Sequence, residues 1–123
     1  MTRSILITDD DDAFRETLLT MLEPCGYDLL TAGDGDEALQ IVHRRRVDLV
    51  LLDFQMPRLS GLECAQQLQQ TTLRNRWILI SAGINDQVRE QAQRLNVFSL
   101  LPKPVTRQVL SQTVNQAMSC YYG

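Results

Sequence analysis

Short apolar runs of strand length alternate along this chain with segments of helical period. Three of the runs are apolar without alternation, which is typical of parallel strands covered on both faces: Ile5-Leu6-Ile7, Leu49-Val50-Leu51-Leu52 and Trp77-Ile78-Leu79-Ile80. The pattern predicts strands at residues 4–8, 29–32, 48–53, 77–82 and 97–101. Helical spacing of apolar residues predicts helices at residues 13–22, 36–45, 62–70, 86–95 and 106–120.

Five strand–helix units in strict alternation predict an α/β fold. We expect a parallel sheet with right-handed crossovers and with helices on both faces. Local signals mark the ends of the helices. Pro24 and Gly26 follow the first helix, and Gly35-Asp36 predicts a turn and an N-cap before the second.

Composition narrows the class of protein. The chain has 123 residues, of which 44% are hydrophobic and 22% charged, and we expect residues 1–123 to form a single domain. A net charge of −3 leaves no broad basic surface, so direct nucleic-acid binding is not expected. Three cysteines without paired spacing favour reduced thiols, and no apolar stretch approaches the length of a membrane span. These features predict a cytoplasmic protein without membrane contact.

Candidate chemical groups follow the predicted strands. Active groups of open α/β sheets gather beyond the carboxyl ends of the strands. Asp9 and Asp10 follow the first strand, Asp53 ends the third, Ser81 ends the fourth, and the only lysine, Lys103, follows the fifth. Neighbouring carboxylates raise one another's pKa, so we expect a hard, oxygen-binding cation such as Mg²⁺ among them.

Asp53 is the best candidate nucleophile, because it ends the central apolar strand. A carboxyl group with an ordinary pKa of about 3.9 is ionised at neutral pH and needs no base. Phosphoryl transfer requires mainly positioning and charge neutralisation, which a metal ion, Lys103 and the Ser81 hydroxyl would supply. The product would be an acyl phosphate.

These residues make the sequence similar to the response-regulator receiver domains of bacterial two-component signalling, chemotaxis regulators among them. The resemblance rests on four features in order: Asp9-Asp10, Asp53 followed by Met56-Pro57 and Gly61, Ser81-Ala82, and Lys103-Pro104. It implies a doubly wound, flavodoxin-like sheet of five parallel strands in the order 2-1-3-4-5. It also implies a cis peptide bond between Lys103 and Pro104.

The resemblance further implies a metal site beside a phosphorylation site. Asp53 would accept the phosphoryl group and also contact Mg²⁺. Asp10 would ligate Mg²⁺ directly, and Asp9 would do so largely through water. The backbone carbonyl of Gln55 would complete the protein ligands of the metal.

Two further side chains would contact the phosphoryl group: Ser81, by moving to hydrogen-bond one oxygen, and Lys103, by pairing with another. A sensor histidine kinase or a histidine phosphotransfer protein would be the donor. A downstream protein or output domain would read the change on the surface of the fourth helix, fifth strand and fifth helix. The chain would have only self-phosphorylation and autodephosphorylation activity, as a monomer or weak homodimer.

Other functions remain open at this point. Leu100 stands where the family often has an aromatic residue, which favours a receiver-like adaptor that binds its partner regardless of phosphorylation. A Mg²⁺-dependent phosphohydrolase would need an acid two residues beyond Asp53, where this chain has Gln55.

Two pairs of residues have structural interpretations. Asp11 and Asp12 are interpreted as stabilising the start of the first helix rather than as ligands. Tyr121 and Tyr122 are either a frayed end or the start of a link to a further region.

Overall fold

The computed structural model describes residues 2–55, 61–71, 73 and 76–123. The strands are β1 (Ser4–Thr8), β2 (Asp28–Ala32), β3 (Leu49–Asp53), β4 (Trp77–Ser81) and β5 (Ser99–Pro102). The α-helices are α1 (Asp12–Leu22), α2 (Gly35–Arg44), α3 (Gly61–Leu68), α4 (Asp86–Arg94) and α5 (Arg107–Tyr122). The strands form one parallel sheet in the order β2-β1-β3-β4-β5. The predicted α/β class and strand order are confirmed.

Each face of the sheet carries its own hydrophobic core. Successive side chains of a strand point to opposite faces, so alternate residues belong to different cores. One core lies between the sheet and helices α1 and α5, and includes Ile5, Ile7, Leu49, Leu51, Ile78 and Ile80. The other lies against α2, α3 and α4, and includes Leu6, Val50, Leu52, Trp77 and Leu79. Every residue of β1, β3 and β4 is buried, which explains their unbroken apolar runs.

The same alternation selects the face on which the candidate charged residues lie. Three of them come two positions after a strand residue that belongs to the α1–α5 core. These pairs are Ile7 and Asp9, Leu51 and Asp53, and Leu101 and Lys103. All three are therefore directed to the α1–α5 side of the sheet, beyond its carboxyl end.

Several predicted boundaries differ from the structure by one or two residues, and two of these differences have a clear physical cause. The N-cap of α2 is Asp34 rather than Gly35-Asp36, because the Asp34 carboxylate accepts a hydrogen bond from the Glu37 N–H at 2.8 Å and Gly35 is already helical. Strand β5 begins at Ser99 instead of residue 97 and extends to Pro102. Proline is tolerated there because β5 is an edge strand, so its missing N–H falls on the unpaired side.

Asp48 forms hydrogen bonds with several residues at the opposite, amino end of the sheet. Its buried carboxylate accepts hydrogen bonds from the Ser4 N–H at 2.8 Å and from Arg46 Nε at 3.1 Å. The Tyr122 hydroxyl donates to the Asp48 carbonyl at 2.6 Å, so the end of α5 is fastened to the start of β3.

Candidate functional site

Four charged side chains meet beyond the carboxyl ends of β1, β3 and β5. Asp9, Asp10 and Asp53 each offer a carboxylate oxygen, and these three oxygens lie within 4.8 Å of one another. Lys103 Nζ lies 3.1 Å from Asp9 Oδ2 and 3.4 Å from Asp53 Oδ2. Asp9 and Asp53 are buried, whereas Asp10 is exposed. The structure thus brings together the carboxylates and the lysine that the sequence singles out.

The loop between β1 and α1 holds the first carboxylates in place. Asp9 Oδ1 accepts a hydrogen bond from the Asp11 N–H at 2.9 Å, and the Asp9 carbonyl accepts one from Arg15 Nη1 at 2.6 Å. Asp11 is the N-cap of α1 and accepts from the Phe14 N–H at 3.2 Å, while Asp12 pairs with Arg15. The structural interpretation of Asp11 and Asp12 is confirmed.

Asp53 is a carboxylate in an unfavourable setting. Its side chain is only 5% exposed, and Oδ1 accepts a hydrogen bond from the Gln55 N–H at 3.1 Å. Burial raises the pKa of Asp53 from 3.8 to about 6. The Gln55 hydrogen bond and Lys103 oppose this rise, and the negative charge of Asp9 adds to it. A cation near this carboxylate would therefore relieve a real electrostatic cost.

Lys103 is the positive counterpart of these carboxylates. Burial alone would lower the pKa of Lys103, but the hydrogen bond to Asp9 and the charges of Asp53 and Asp9 raise it above 10.5. The ammonium also lies 4.3 Å from the centroid of the Phe14 ring. The Lys103 N–H donates to the Ser81 carbonyl at 2.9 Å, and the Lys103–Pro104 bond is cis, as the resemblance implies.

Ser81 and Leu100 belong to the other face of the sheet. Ser81 is fully buried and lies on the same face of β4 as Trp77 and Leu79. Its hydroxyl accepts a hydrogen bond from the Gly83 N–H at 3.2 Å. Leu100 is half-buried against the same core. The structure brings the Ser81 backbone next to Lys103, but no hydrogen bond joins the Ser81 side chain to the described carboxylates.

The donor set suits a hard divalent cation. Among the described residues, three carboxylates and one ammonium meet here, so negative charge exceeds positive charge within this group of four, and Mg²⁺ prefers carboxylate oxygens as ligands. Gln55 directly follows Phe54 at the end of β3 and is within the described residues. Met56 and Pro57, which carry part of the resemblance, lie outside them, and Gly61 is the first residue of α3.

Sequence reasoning missed two residues of the site. The sequence analysis singles out neither Phe14, whose ring lies beside Lys103, nor Arg15, which donates to the Asp9 carbonyl. The available signal was position, since the first turn of α1 directly follows Asp9 and Asp10 and must border the same edge of the sheet.

The sequence matches the family model for the response regulator receiver domain over residues 5–115. It is 42% identical over 102 residues to the response regulator MprA of Mycobacterium leprae, which covers 81% of this chain. It is 33% identical over 110 residues to the sensor histidine kinase RcsC of Escherichia coli, which covers 89% of this chain. The chain spans 44% of the length of the first protein and 12% of the second.

The fold is also similar to that of solved structures. The signal receiver domain of an HD domain-containing protein from Pseudomonas fluorescens superposes with a TM-score of 0.91 at 26% identity, over 98% of this chain and 97% of that one. Chemotaxis protein CheY4 of Vibrio cholerae gives a TM-score of 0.89 at 23% identity, over 95% and 99% of the two chains. Within the described residues, none of the helices has the length and apolar content that a bilayer crossing needs.

Proposed function

The chain belongs to the response regulator receiver domain family, and from this premise we propose that it is a phosphoacceptor switch that takes a phosphoryl group on Asp53. The observation that carries the proposal is the position of Lys103 Nζ, within 3.4 Å of Asp53 and 3.1 Å of Asp9. Asp10 adds a third carboxylate to the same pocket. This arrangement combines a nucleophile, a fixed cation and an oxygen-rich ligand set.

The chemistry is a direct phosphoryl transfer. An Asp53 carboxylate oxygen attacks the phosphorus of a phosphohistidine, forming a P–O bond as the donor's P–N bond breaks. The electron pair of the P–N bond leaves with the imidazole nitrogen, so no base is needed on this chain. Charge spreads over the phosphoryl oxygens in the transition state, and the Lys103 ammonium faces this charge.

Asp9, Asp10, Asp53 and the Gln55 carbonyl would hold Mg²⁺. When bound, this ion supplies positive charge against the phosphoryl oxygens and screens the carboxylates from one another. Ser81 would exchange its hydrogen bond from the Gly83 N–H for one to a phosphoryl oxygen.

The partners follow from this chemistry. A sensor histidine kinase or a histidine phosphotransfer protein would donate the phosphoryl group, and a downstream protein or output domain would bind the surface of α4, β5 and α5. The relatives support both contexts, because the matching segment occurs in a response regulator and in a sensor histidine kinase. Beyond self-phosphorylation and autodephosphorylation, we propose no separate enzymatic activity. The cytoplasmic location stays a prediction.

An adaptor that binds regardless of phosphorylation is the second candidate. Leu100 favours it, because the family often has an aromatic residue at this position. The half-buried Leu100 has no ring that could move between buried and exposed positions. Leu100 nevertheless packs on the same core face as Ser81, so a link between the two remains physically available.

The direct test is intact mass after incubation with Mg²⁺ and acetyl phosphate. The wild-type chain should gain one phosphoryl group, as should the control Asp28→Asn, which removes an exposed carboxylate of β2. Asp53→Asn, or chelation of the metal, should abolish the gain. Absence of the gain in wild type, or its persistence in Asp53→Asn, would contradict the proposal.

A further inference from the structure

We propose that Phe14 is a positioning residue for Lys103, whose ammonium the ring holds at the α1 side of the carboxylate pocket. This inference rests on the proposed phosphoryl transfer to Asp53 and adds a residue to it. Phe14 does not touch the reacting atoms; it acts through the lysine.

Among the described residues, the Lys103 ammonium has three side-chain neighbours from different parts of the chain. Its ammonium nitrogen lies 3.1 Å from Asp9 Oδ2, 3.4 Å from Asp53 Oδ2 and 4.3 Å from the Phe14 ring centroid. A cation within about 6 Å of a ring centroid is attracted by the negative face of the ring. The lysine side chain is 21% exposed, so this attraction acts in a partly desolvated setting.

The ring is itself held firmly. Phe14 lies in the first turn of α1, where its N–H is capped by the Asp11 carboxylate. Its side chain packs against the core that α1 and α5 share. The position of the ring is therefore fixed by the helix rather than by the lysine.

The ring contact differs from the two carboxylate contacts in one important respect. Asp9 and Asp53 are also the proposed ligands of a metal ion, so their oxygens are shared between that ion and the ammonium. The Phe14 ring has no lone pair to offer a metal, and its contact with Lys103 is not shared. We expect the ring to keep the ammonium aligned while the carboxylates are engaged.

The chain offers an unusually clean way to observe this contact, because Lys103 is its only lysine. Protein labelled with ¹³C-lysine gives a single ε-methylene signal, and a ring facing the ammonium shields those protons. The matched control is Phe98→Leu, since Phe98 is another half-buried phenylalanine packed on the same core, beside Tyr121.

The experiment compares Phe14→Leu, Phe14→Tyr and Phe98→Leu with the wild type. In Phe14→Leu we expect the ε-methylene shielding to be lost, and the maximal rate of phosphorylation by acetyl phosphate at saturating Mg²⁺ to fall by roughly three- to thirtyfold. The half-saturating donor concentration should stay within about twofold, because Lys103 acts mainly in the transition state. Phe14→Tyr should restore both readouts, and Phe98→Leu should leave both unchanged.

The outcomes separate this inference from the proposed function. A wild-type chain that takes no phosphoryl group contradicts both. If the wild type is phosphorylated, unchanged shielding or an unchanged rate in Phe14→Leu overturns the role of Phe14 alone. Equal loss of rate in Phe14→Leu and Phe98→Leu also overturns it, and urea unfolding of each variant identifies loss of folded protein as the cause.

Discussion

At the scale of single residues, Asp53 is costly to the fold, and the proposed phosphoryl transfer would make use of that cost. A carboxylate that is 5% exposed and close to Asp9 loses hydration and meets repulsion, which one ammonium and one N–H do not fully offset. The consequence is a folded-state pKa of about 6 in place of 3.8. The same instability favours any process that brings positive charge to the carboxylate.

This cost predicts that Asp53→Asn stabilises the metal-free protein. The raised pKa means that the folded state binds the Asp53 proton more tightly than the unfolded state. Its contribution to stability is therefore present below pH 3.8 and lost as the pH rises through about 6. At pH 7.5 in chelator, the variant should gain about 1–3 kcal/mol in free energy of unfolding by urea.

The pH dependence supplies the check on this prediction. The gain should shrink strongly at pH 4, where Asp53 is largely protonated in the folded wild type. Asp28→Asn, at an exposed position of β2, should show no comparable gain at either pH. An equal gain at both pH values would mean that burial of the charge is not its source.

At the scale of elements, the two ends of the sheet are secured by different means. The carboxyl end depends on caps and charged loops, among them Asp11 at the start of α1 and Arg15 on the Asp9 carbonyl. The amino end depends on Tyr122, whose ring lies 4.3 Å from the Arg3 guanidinium carbon and 5.0 Å from that of Arg76. Tyr122 is thus an anchor of α5 and not a frayed terminus.

Graded substitution of Tyr122 tests this anchor. Tyr122→Phe removes the hydroxyl that bonds to the Asp48 carbonyl and accepts from Arg76 Nη1, and should cost about 1 kcal/mol of stability. Tyr122→Leu also removes the ring contacts with both arginines, and should cost about 2–3 kcal/mol. Urea unfolding measures both. Equal stability of the two variants and the wild type would show that the anchor contributes nothing.

At the scale of the whole molecule, the sequence was most informative where one physical rule acts alone. Unbroken apolar runs located β1, β3 and β4 to within a residue, because burial on both faces leaves no room for polar side chains. Asp9, Asp53 and Lys103 could be grouped by a second rule, since active groups of open α/β sheets gather beyond the carboxyl ends of the strands. Contacts between residues far apart in the sequence follow no such rule. Examples are the Phe14 ring beside the Lys103 ammonium and the hydrogen bond from the Tyr122 hydroxyl to the Asp48 carbonyl.

A switch must also carry the change at Asp53 to a distant surface. Ser81 and Leu100 lie on the opposite face from Asp53, against the core that borders α4. A cavity of about 660 Å³ lies between α4 and β5, and Leu100, Ala82 and Val97 contribute to its lining. The Lys103 N–H is hydrogen-bonded to the Ser81 carbonyl. A movement of Lys103 in the carboxylate pocket therefore has a physical route to the surface of α4 and β5.

Fluoroberyllate, a mimic of the phosphoryl group, distinguishes a switch from an adaptor. With Mg²⁺ and fluoroberyllate, amide exchange in α4 and β5 of the wild type should change by about threefold or more, because the phosphorylated conformer is stabilised. Ser81→Ala should still bind the mimic at Asp53 but show no change in α4 or β5, since the hydroxyl contact is missing. A wild type that binds the mimic with no exchange change outside the pocket would favour the adaptor. If Ser81→Ala responds like the wild type, the coupling between Asp53 and the α4–β5 surface runs through Lys103 instead, whose N–H donates to the Ser81 carbonyl.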